Sequence, residues 1–248
     1  YFYFFQRLKS QVLEYLDALI LAGGLGTRLR KAVPYQPKVI ADINGRPFIA
    51  FLLDQLSSTG ISRVTLCTGY KSEQVEGIVG SRYRTMDVLY STEKTPLGTG
   101  GALRYAAGKL FKEWILVMNG DSFIECNLLK YVDWHLNSNV NASMVVASVS
   151  DARRYGSVEL GEDQNIIAFR EKEEDKQGFG YINAGVYLIR KSVIEELEFG
   201  EQYSLEHEVV PRLLASGLYG YLCDGRFIDI GTEESYIYAK SFFGKFEQ

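Results

Sequence analysis

The sequence predicts an α/β fold of the Rossmann-like, three-layer kind, with a mostly parallel central sheet and a small added β layer over the substrate site. Three observations predict it. In the first half short apolar runs alternate with helix-period stretches, the pattern of right-handed βαβ crossovers. After about residue 150 strand-like segments follow one another with few helices between. At residues 19–30 the string "LILAGGLGTRLR" breaks from an apolar run into glycine and ends on arginines. In such sheets ligands lie beyond the carboxyl ends of the strands.

The chain opens with "YFYFFQRLKSQVLEYLDALIL", in which Phe5, Leu8, Val12, Leu13 and Leu16 have near-helical spacing. Residues 1–16 are therefore expected to form an appended helix covering a partner surface or the domain's own flank, and residues 17–248 a single domain. No run there approaches the roughly 20 apolar residues a membrane span needs. Arg7 and Lys9 follow the aromatics, the reverse of a secretory signal. Strands are expected at Ala18–Ala22, Arg63–Thr68, Met86–Tyr90, Trp114–Met118 and Ala142–Val149. Helices are expected at Pro47–Ser58, Ser72–Val79, Gly101–Lys109 and Leu128–Asn137. The later part reads as strands "YGSVEL", "IIAFREK" and "GYINAGVYLIR", a helix "LEHEVVPRLLAS", strands "LYGYLCD" and "RFIDI", and a closing helix "EESYIYAKSFF".

The 248 residues carry a formal charge of −4, which argues against a nucleic-acid binder. A bound anion must then meet a local group of cations. Cys67, Cys126 and Cys223 lie far apart, and His135 and His207 are isolated, so neither zinc nor a disulfide framework is expected. A reducing cytoplasm is the default compartment, with no membrane association.

Two phosphate-loop patterns fail at the glycines. The string GxxxxGK[ST] does not occur, and the dinucleotide pattern G-x-G-x-x-G finds Leu29 at its third glycine. A glycine-rich turn without ligand stays open at this point. Against it stand Thr27 and Arg28 directly after the glycines and "PKVIADINGRPFI" ten residues further on. Glycines let backbone N–H groups approach a phosphate, and Arg28 and Lys38 add charge.

The string "LAGGLGTRLR…PKVIADINGRPFIAFLLDQL" resembles the sugar-1-phosphate nucleotidyltransferases. The likeness continues in order through "PLGTGGAL", "NGDSF", "YGSVE", "REK", "NAGVYLI", "SLE" and "FIDIGT", over residues 18–240. The nearest subgroup is the D-glycero-D-manno-heptose 1-phosphate guanylyltransferases. One departure is Pro37-Lys38-Val39, where the family has a second proline.

The resemblance implies a GT-A-like fold, dependence on Mg²⁺, and attack of a sugar 1-phosphate on the α-phosphorus of a nucleoside triphosphate, GTP in that subgroup, with pyrophosphate leaving. It implies that Leu21, Ala22, Gly23, Gly24, Gly26 and Thr27 cradle the nucleotide. Arg28 would hold the β- and γ-phosphates and Lys38 would sit near the reacting oxygens. Asp121, with Asp229, would hold the metal. Glu93, Pro96 and Gly98 would contact the base, and a carboxylate at Glu93 suits guanine's paired N–H donors. Tyr155, Gly156, Glu171, Lys172, Asn183, Gly185 and Glu206 would bind the sugar phosphate.

Plainer readings stand beside several of these. Glu93 also fits a solvated strand-end charge, Gly156 and Gly185 fit close backbone approach, and Ser204 reads as a helix N-cap with Glu206 favouring the dipole. GDP-mannose, dTDP-sugar, UDP-sugar or UDP-N-acetylmuramic acid synthesis, a non-catalytic nucleotide-sugar-binding module, and a homo-oligomeric state all stay open.

Overall fold

The structure, a computed structural model, describes residues 13, 15–24, 26–29, 32–171 and 178–244, with Thr27 described by its backbone. The extension expected over residues 1–16 therefore falls almost wholly outside the described residues. Its expected last residue, Leu16, already begins the first strand.

The chain runs β1 (Leu16–Leu21), a hairpin of β2 (Asp42–Ile43) and β3 (Arg46–Pro47), α1 (Phe48–Thr59), β4 (Arg63–Thr68), α2 (Ser72–Val79), β5 (Arg82–Tyr83), β6 (Met86–Thr92) and α3 (Gly98–Ala106). It continues through β7 (Trp114–Asn119), β8 (Ser122–Ile124), α4 (Leu128–Ser138), β9 (Ala142–Val149), β10 (Ser157–Leu160), β11 (Ile166–Arg170), β12 (Gly180–Arg190) and α5 (Lys191–Glu195). A π-turn at Leu205–Val209 leads into α6 (Val210–Ser216), and β13 (Leu218–Cys223), β14 (Phe227–Asp229) and α7 (Glu233–Phe243) complete it.

The sheet is centred on β1, which pairs in parallel with both β4 and β7, while β6 runs parallel to β4. On the other side β12 lies antiparallel to β7 and to β9, and β13 parallel to β9. Only β12 thus breaks the parallel run from β13 to β6. The strands at its centre are apolar on both faces, as burial between two helix layers requires. Ala18 and Ile20 join the core that receives α1, α4 and α7, whereas Leu19 and Leu21 join the core under α3, α5 and α6.

The β10–β11 hairpin is the added layer. It attaches to the first half of β12 through Ser157 opposite Ile182 and Val158 opposite Tyr181. Between that half and the half that pairs with β7, the register of β12 shifts, and Gly185 takes a φ of 74°. Such a bulge re-aims side chains at a sheet rim.

Helix α3 begins three residues earlier than glycine content predicts. Gly98, Gly100 and Gly101 are poor helix formers, yet they let the backbone of residues 201–203 close in. The Gly100 N–H donates to Tyr203 O at 2.8 Å, and a Cβ at Gly101 would lie 2.6 Å from Glu201 O. Tertiary contact decides that boundary. Helix α7 docks by its end: Phe243 stacks on Phe51 at 3.9 Å between centroids and meets Phe123 edge-on at 5.1 Å. Thr232 and Ser235 close its first turn in a capping box.

His135 of α4 is fully buried edge-on to Trp114, with Nδ1 2.7 Å from Ser143 Oγ and Nε2 without a partner among the described residues. Burial, helped by the Arg190 guanidinium, lowers its pKa to about 4. The folded protein holds this imidazole neutral, while the unfolded chain takes up a proton below about 6.5. Stability from this group is therefore complete above that pH and is lost as pH falls towards 4, by up to about 1.4 kcal/mol per pH unit. Urea unfolding of wild type and His135→Gln between pH 8 and pH 4.5 should show the steeper acid loss in wild type; parallel curves would contradict it.

Candidate functional site

The carboxyl ends of β1, β4, β6 and β7 converge on two adjoining cavities. The smaller, of about 420 Å³, is lined by Leu21, Gly23, Gly24, Gly26, Lys38, Glu93, Pro96, Gly98, Thr99, Cys67, Ala102 and neighbours. The larger, of about 820 Å³, is lined by Arg28, Asp151, Arg153, Arg154, Tyr155, Gly156, Glu171, Asn183, Gly185, Asp229, Thr232 and neighbours. Asn119, Asp121 and Glu206 line both. The two cavities meet at a seam formed by these three side chains.

The glycine loop follows β1 directly. Among the described residues the N–H groups of Gly23, Gly24 and Gly26 make no hydrogen bond within the protein, so they are free to receive an anion. Gly26 has a φ of 59° and turns the chain into the short turn Thr27–Leu29. Ala22, expected with the nucleotide contacts, directly follows β1. It is buried, and its N–H donates to Cys67 O at 2.8 Å. Arg28, expected beside that loop, is exposed and lines the larger cavity.

Glu93 stands where β6 runs out. Its N–H donates to Thr68 O at 2.9 Å, and its Oε2 accepts from Leu97 N–H at 3.1 Å, ordering the loop into α3. Oε1 lies against the backbones of Gly69 and Gly23, where a Cβ would come within 2.9 and 3.3 Å. The carboxyl is half-buried. Burial raises its pKa, partly offset by the Leu97 N–H. A solvated strand-end charge does not describe it. One oxygen keeps lone pairs to spare at the cavity wall.

Strand β7 ends at Asn119, and Gly120 turns the chain tightly into β8. Asp121 on this turn is ion-paired with Lys38, whose side chain is 13% exposed against 41% for the carboxylate. The pair sits in the wall with the carboxylate facing the cavity. Strand β14 lies antiparallel to β8 with Asp229 opposite Ser122, the residue after Asp121, and both aspartates line the larger cavity. Asp229 accepts from Tyr155 Oη at 3.2 Å and from the Gly231 N–H at 2.8 Å, and the Arg154 guanidinium lies 3.8 Å away.

Glu206 rides on the π-turn. It accepts from Thr99 Oγ1 at 3.1 Å and Ser204 Oγ at 3.3 Å, and Ser204 caps the turn by accepting the His207 N–H. Tyr155, Gly156 and Glu171 come from the added layer, and Asn183 and Gly185 from the bulged strand β12. Both glycines also serve packing: a Cβ would come 2.8 Å from Phe169 at Gly156 and 2.5 Å from Ser122 Oγ at Gly185. Lys172 lies outside the described residues.

Several wall residues escaped the sequence reading. Arg153 and Arg154 immediately precede Tyr155, so their place was available in the string "RRYGSVE". Asn119 and Thr99 stand inside recognised motifs, but only the meeting of β7, α3 and the π-turn brings both to Glu206.

The family described as nucleotidyl transferase matches residues 17–245. D-glycero-α-D-manno-heptose 1-phosphate guanylyltransferase of Aneurinibacillus thermoaerophilus is 36% identical over 89% of this chain and 95% of its own length. Mannose-1-phosphate guanylyltransferase of Mycobacterium tuberculosis is also 36% identical, but this chain spans 63% of that protein. The crystal structure of HddC from Yersinia pseudotuberculosis complexed with GMP-PN superposes with a TM-score of 0.81 at 33% identity, covering 92% of this chain and 99% of that one.

The glycines of the smaller cavity divide by role, and stability separates them. Gly98, with a φ of 72° and a would-be Cβ 2.4 Å from Tyr203 O, should lose more than about 2 kcal/mol as Gly98→Ala. Gly24→Ala meets nothing within 4 Å and should stay within about 0.5 kcal/mol of wild type. Urea denaturation of both variants checks the pair; equal losses would overturn the division.

Proposed function

The chain belongs to the nucleotidyl transferase family, and from that premise we infer that it joins GMP, taken from GTP, to D-glycero-D-manno-heptose 1-phosphate. The names of its relatives and the GMP-PN complex of HddC support this reading. So does coverage, since this chain spans 95% of a heptose-specific relative and 63% of a mannose-specific one. The observation that carries it is the seam. Two cavities of different lining share Asp121, as a reaction between two bound phosphates requires.

An oxygen of the sugar phosphate attacks the α-phosphorus. One P–O bond forms, the bond from the α-phosphorus to the bridging oxygen breaks, and pyrophosphate leaves with that electron pair. At neutral pH a phosphate monoester is largely dianionic, so no proton must be removed first. The protein's work is positioning and neutralisation of charge.

The free N–H groups of Gly23, Gly24 and Gly26 bind phosphate oxygens. Lys38 holds a positive charge at the seam, and Arg28 meets the departing pyrophosphate from the larger cavity. Glu93 accepts the guanine N1–H and N2–H₂ donors, and its desolvation strengthens it as an acceptor. Glu171, Tyr155, Asn183 and Glu206 receive the sugar, with Lys172 assigned to its phosphate.

Two carboxylates, Asp121 on the turn before β8 and Asp229 at the end of its partner β14, fit a hard cation that completes its shell with phosphate and water oxygens, as Mg²⁺ does. Among the described residues no cluster of three or more His, Cys, Asp or Glu offers a closed metal cage. Asp121 and Asp229 would hold the ion, which supplies charge at the phosphates when bound. No helix of the described residues is long and apolar enough to cross a membrane, and the reading makes this a cytoplasmic enzyme.

Pyrophosphate release, measured with each nucleoside triphosphate against a panel of sugar 1-phosphates, tests the reading. GTP with the heptose phosphate should win; GTP with mannose 1-phosphate would keep the reaction and change the sugar. Asp121→Asn should lower turnover by at least about 100-fold while GTP still binds. Near-normal Mg²⁺-dependent turnover in that variant would remove Asp121 from the metal. Glu93→Gln should narrow the preference for GTP over other nucleotides, and unchanged preference would dismiss its role in base choice.

A further inference from the structure

Among the described residues the larger cavity is lined by more carboxylates than cations. A doubly charged phosphate can enter it only against a cation that is not already matched. Lys38, at the seam, is paired with Asp121. Arg153 gives Nε and Nη2 to the carboxylate of Asp151, at 2.9 Å and 2.5 Å. Arg28 is already assigned to the departing pyrophosphate. Arg154 remains, and the catalytic roles assigned so far do not include it.

Local structure sends these two adjacent arginines apart. The Tyr155 N–H donates to Ala152 O at 3.0 Å, so Arg153 and Arg154 occupy the corners of a turn. Arg153 folds back on Asp151, whereas Arg154 reaches across to the start of α7, where its Nη2 donates to Thr232 Oγ1 at 2.9 Å. Thr232 is fixed as the cap of that helix, accepting the Ser235 N–H at 3.2 Å. Asp229 Oδ1 lies 3.8 Å from Nη2, beyond hydrogen-bond distance. The guanidinium has no further hydrogen-bond partner among the described residues, and the side chain is 43% exposed. It is open to the cavity, held at one nitrogen, and keeps N–H donors for a ligand. A planar fork of donors suits the paired oxygens of a phosphate. Asp229 is assigned to the reacting phosphates, and a guanidinium 3.8 Å from it stands within reach of them.

We propose that Arg154 binds the phosphate of the sugar 1-phosphate in the larger cavity, donating from its guanidinium while Thr232 holds the side chain in place. This role rests on the nucleotidyl-transfer reading. Arg154 then serves the second substrate alongside Lys172, and its charge persists at every pH at which the phosphate is dianionic.

The test is pyrophosphate release at saturating GTP with the sugar 1-phosphate that wild type turns over best. Arg154→Gln should raise KM for the sugar 1-phosphate roughly 10- to 100-fold, as loss of hydrogen bonds to a charged group does, while KM for GTP and Tm stay as in wild type. Inorganic phosphate, competing with the sugar 1-phosphate at saturating GTP, should weaken as an inhibitor by a similar factor, which a merely structural role would not produce. Arg154→Lys keeps the charge without the planar fork and should lose less than Arg154→Gln. A rise in KM for GTP instead, equal inhibition by inorganic phosphate in wild type and Arg154→Gln, or a lysine variant no better than the glutamine one would overturn the proposal. Absence of wild-type turnover with any pair would strike the functional reading itself, whereas turnover with an unmoved KM for the sugar 1-phosphate in Arg154→Gln would strike the role of Arg154 alone.

Discussion

The site depends on how closely the turn after β7 approaches the end of β1. The Gly120 N–H donates to Leu21 O at 2.9 Å, and a Cβ at that position would lie 2.4 Å from the same oxygen. No other residue fits without moving one backbone or the other. This approach sets Asp121 against Lys38 and starts β8 at Ser122, the partner of Asp229. The Asp121 carbonyl also accepts the Ile230 N–H at 2.8 Å, so the segments bearing the two carboxylates are tied by backbone as well. One steric constraint at this point of the fold thus bears on both aspartates and on the lysine.

Around that point, rigid packing and exposed polar groups are kept apart. The β14 end is fixed from behind by the aromatic docking of α7 and by Arg226, which pairs with Glu125 and lies 4.5 Å over the Phe242 ring. The other wall is fixed by α3, whose glycines admit the 201–203 backbone and so carry Glu206 to the seam. Side chains at the cavities gain precision from these supports, not from their own packing. The π-turn presents Glu206 at the seam, and the bulged strand β12 presents Asn183 at the larger cavity.

The charges are arranged so that few are left wholly unanswered. Asp121 has Lys38, Asp229 has Tyr155, Gly231 and Arg154, and Glu206 has three donors. Arg28 borders the larger cavity and the glycine-loop N–H groups the smaller. The site thus offers positive groups to anions beside the compensated carboxylates of Asp121, Asp229 and Glu206.

Much of this was legible in the residues. Central strands buried on both faces must be apolar runs, so β1, β4, β7 and β9 could be read from composition, and the capping residues of α7 from "GTEES". The glycine loop and Asp121 were legible because their chemistry lies in consecutive residues. What the sequence left undecided is set by contacts distant along the chain. The start of α3 depends on residues 201–203, and Glu206 is answered by Thr99 107 positions away. Local strings determined the strands, the loop and the charged residues at their tips. The tertiary structure alone decided which of those residues share a cavity, because that depends on backbone approaches that only glycine permits, between segments that the sequence keeps far apart.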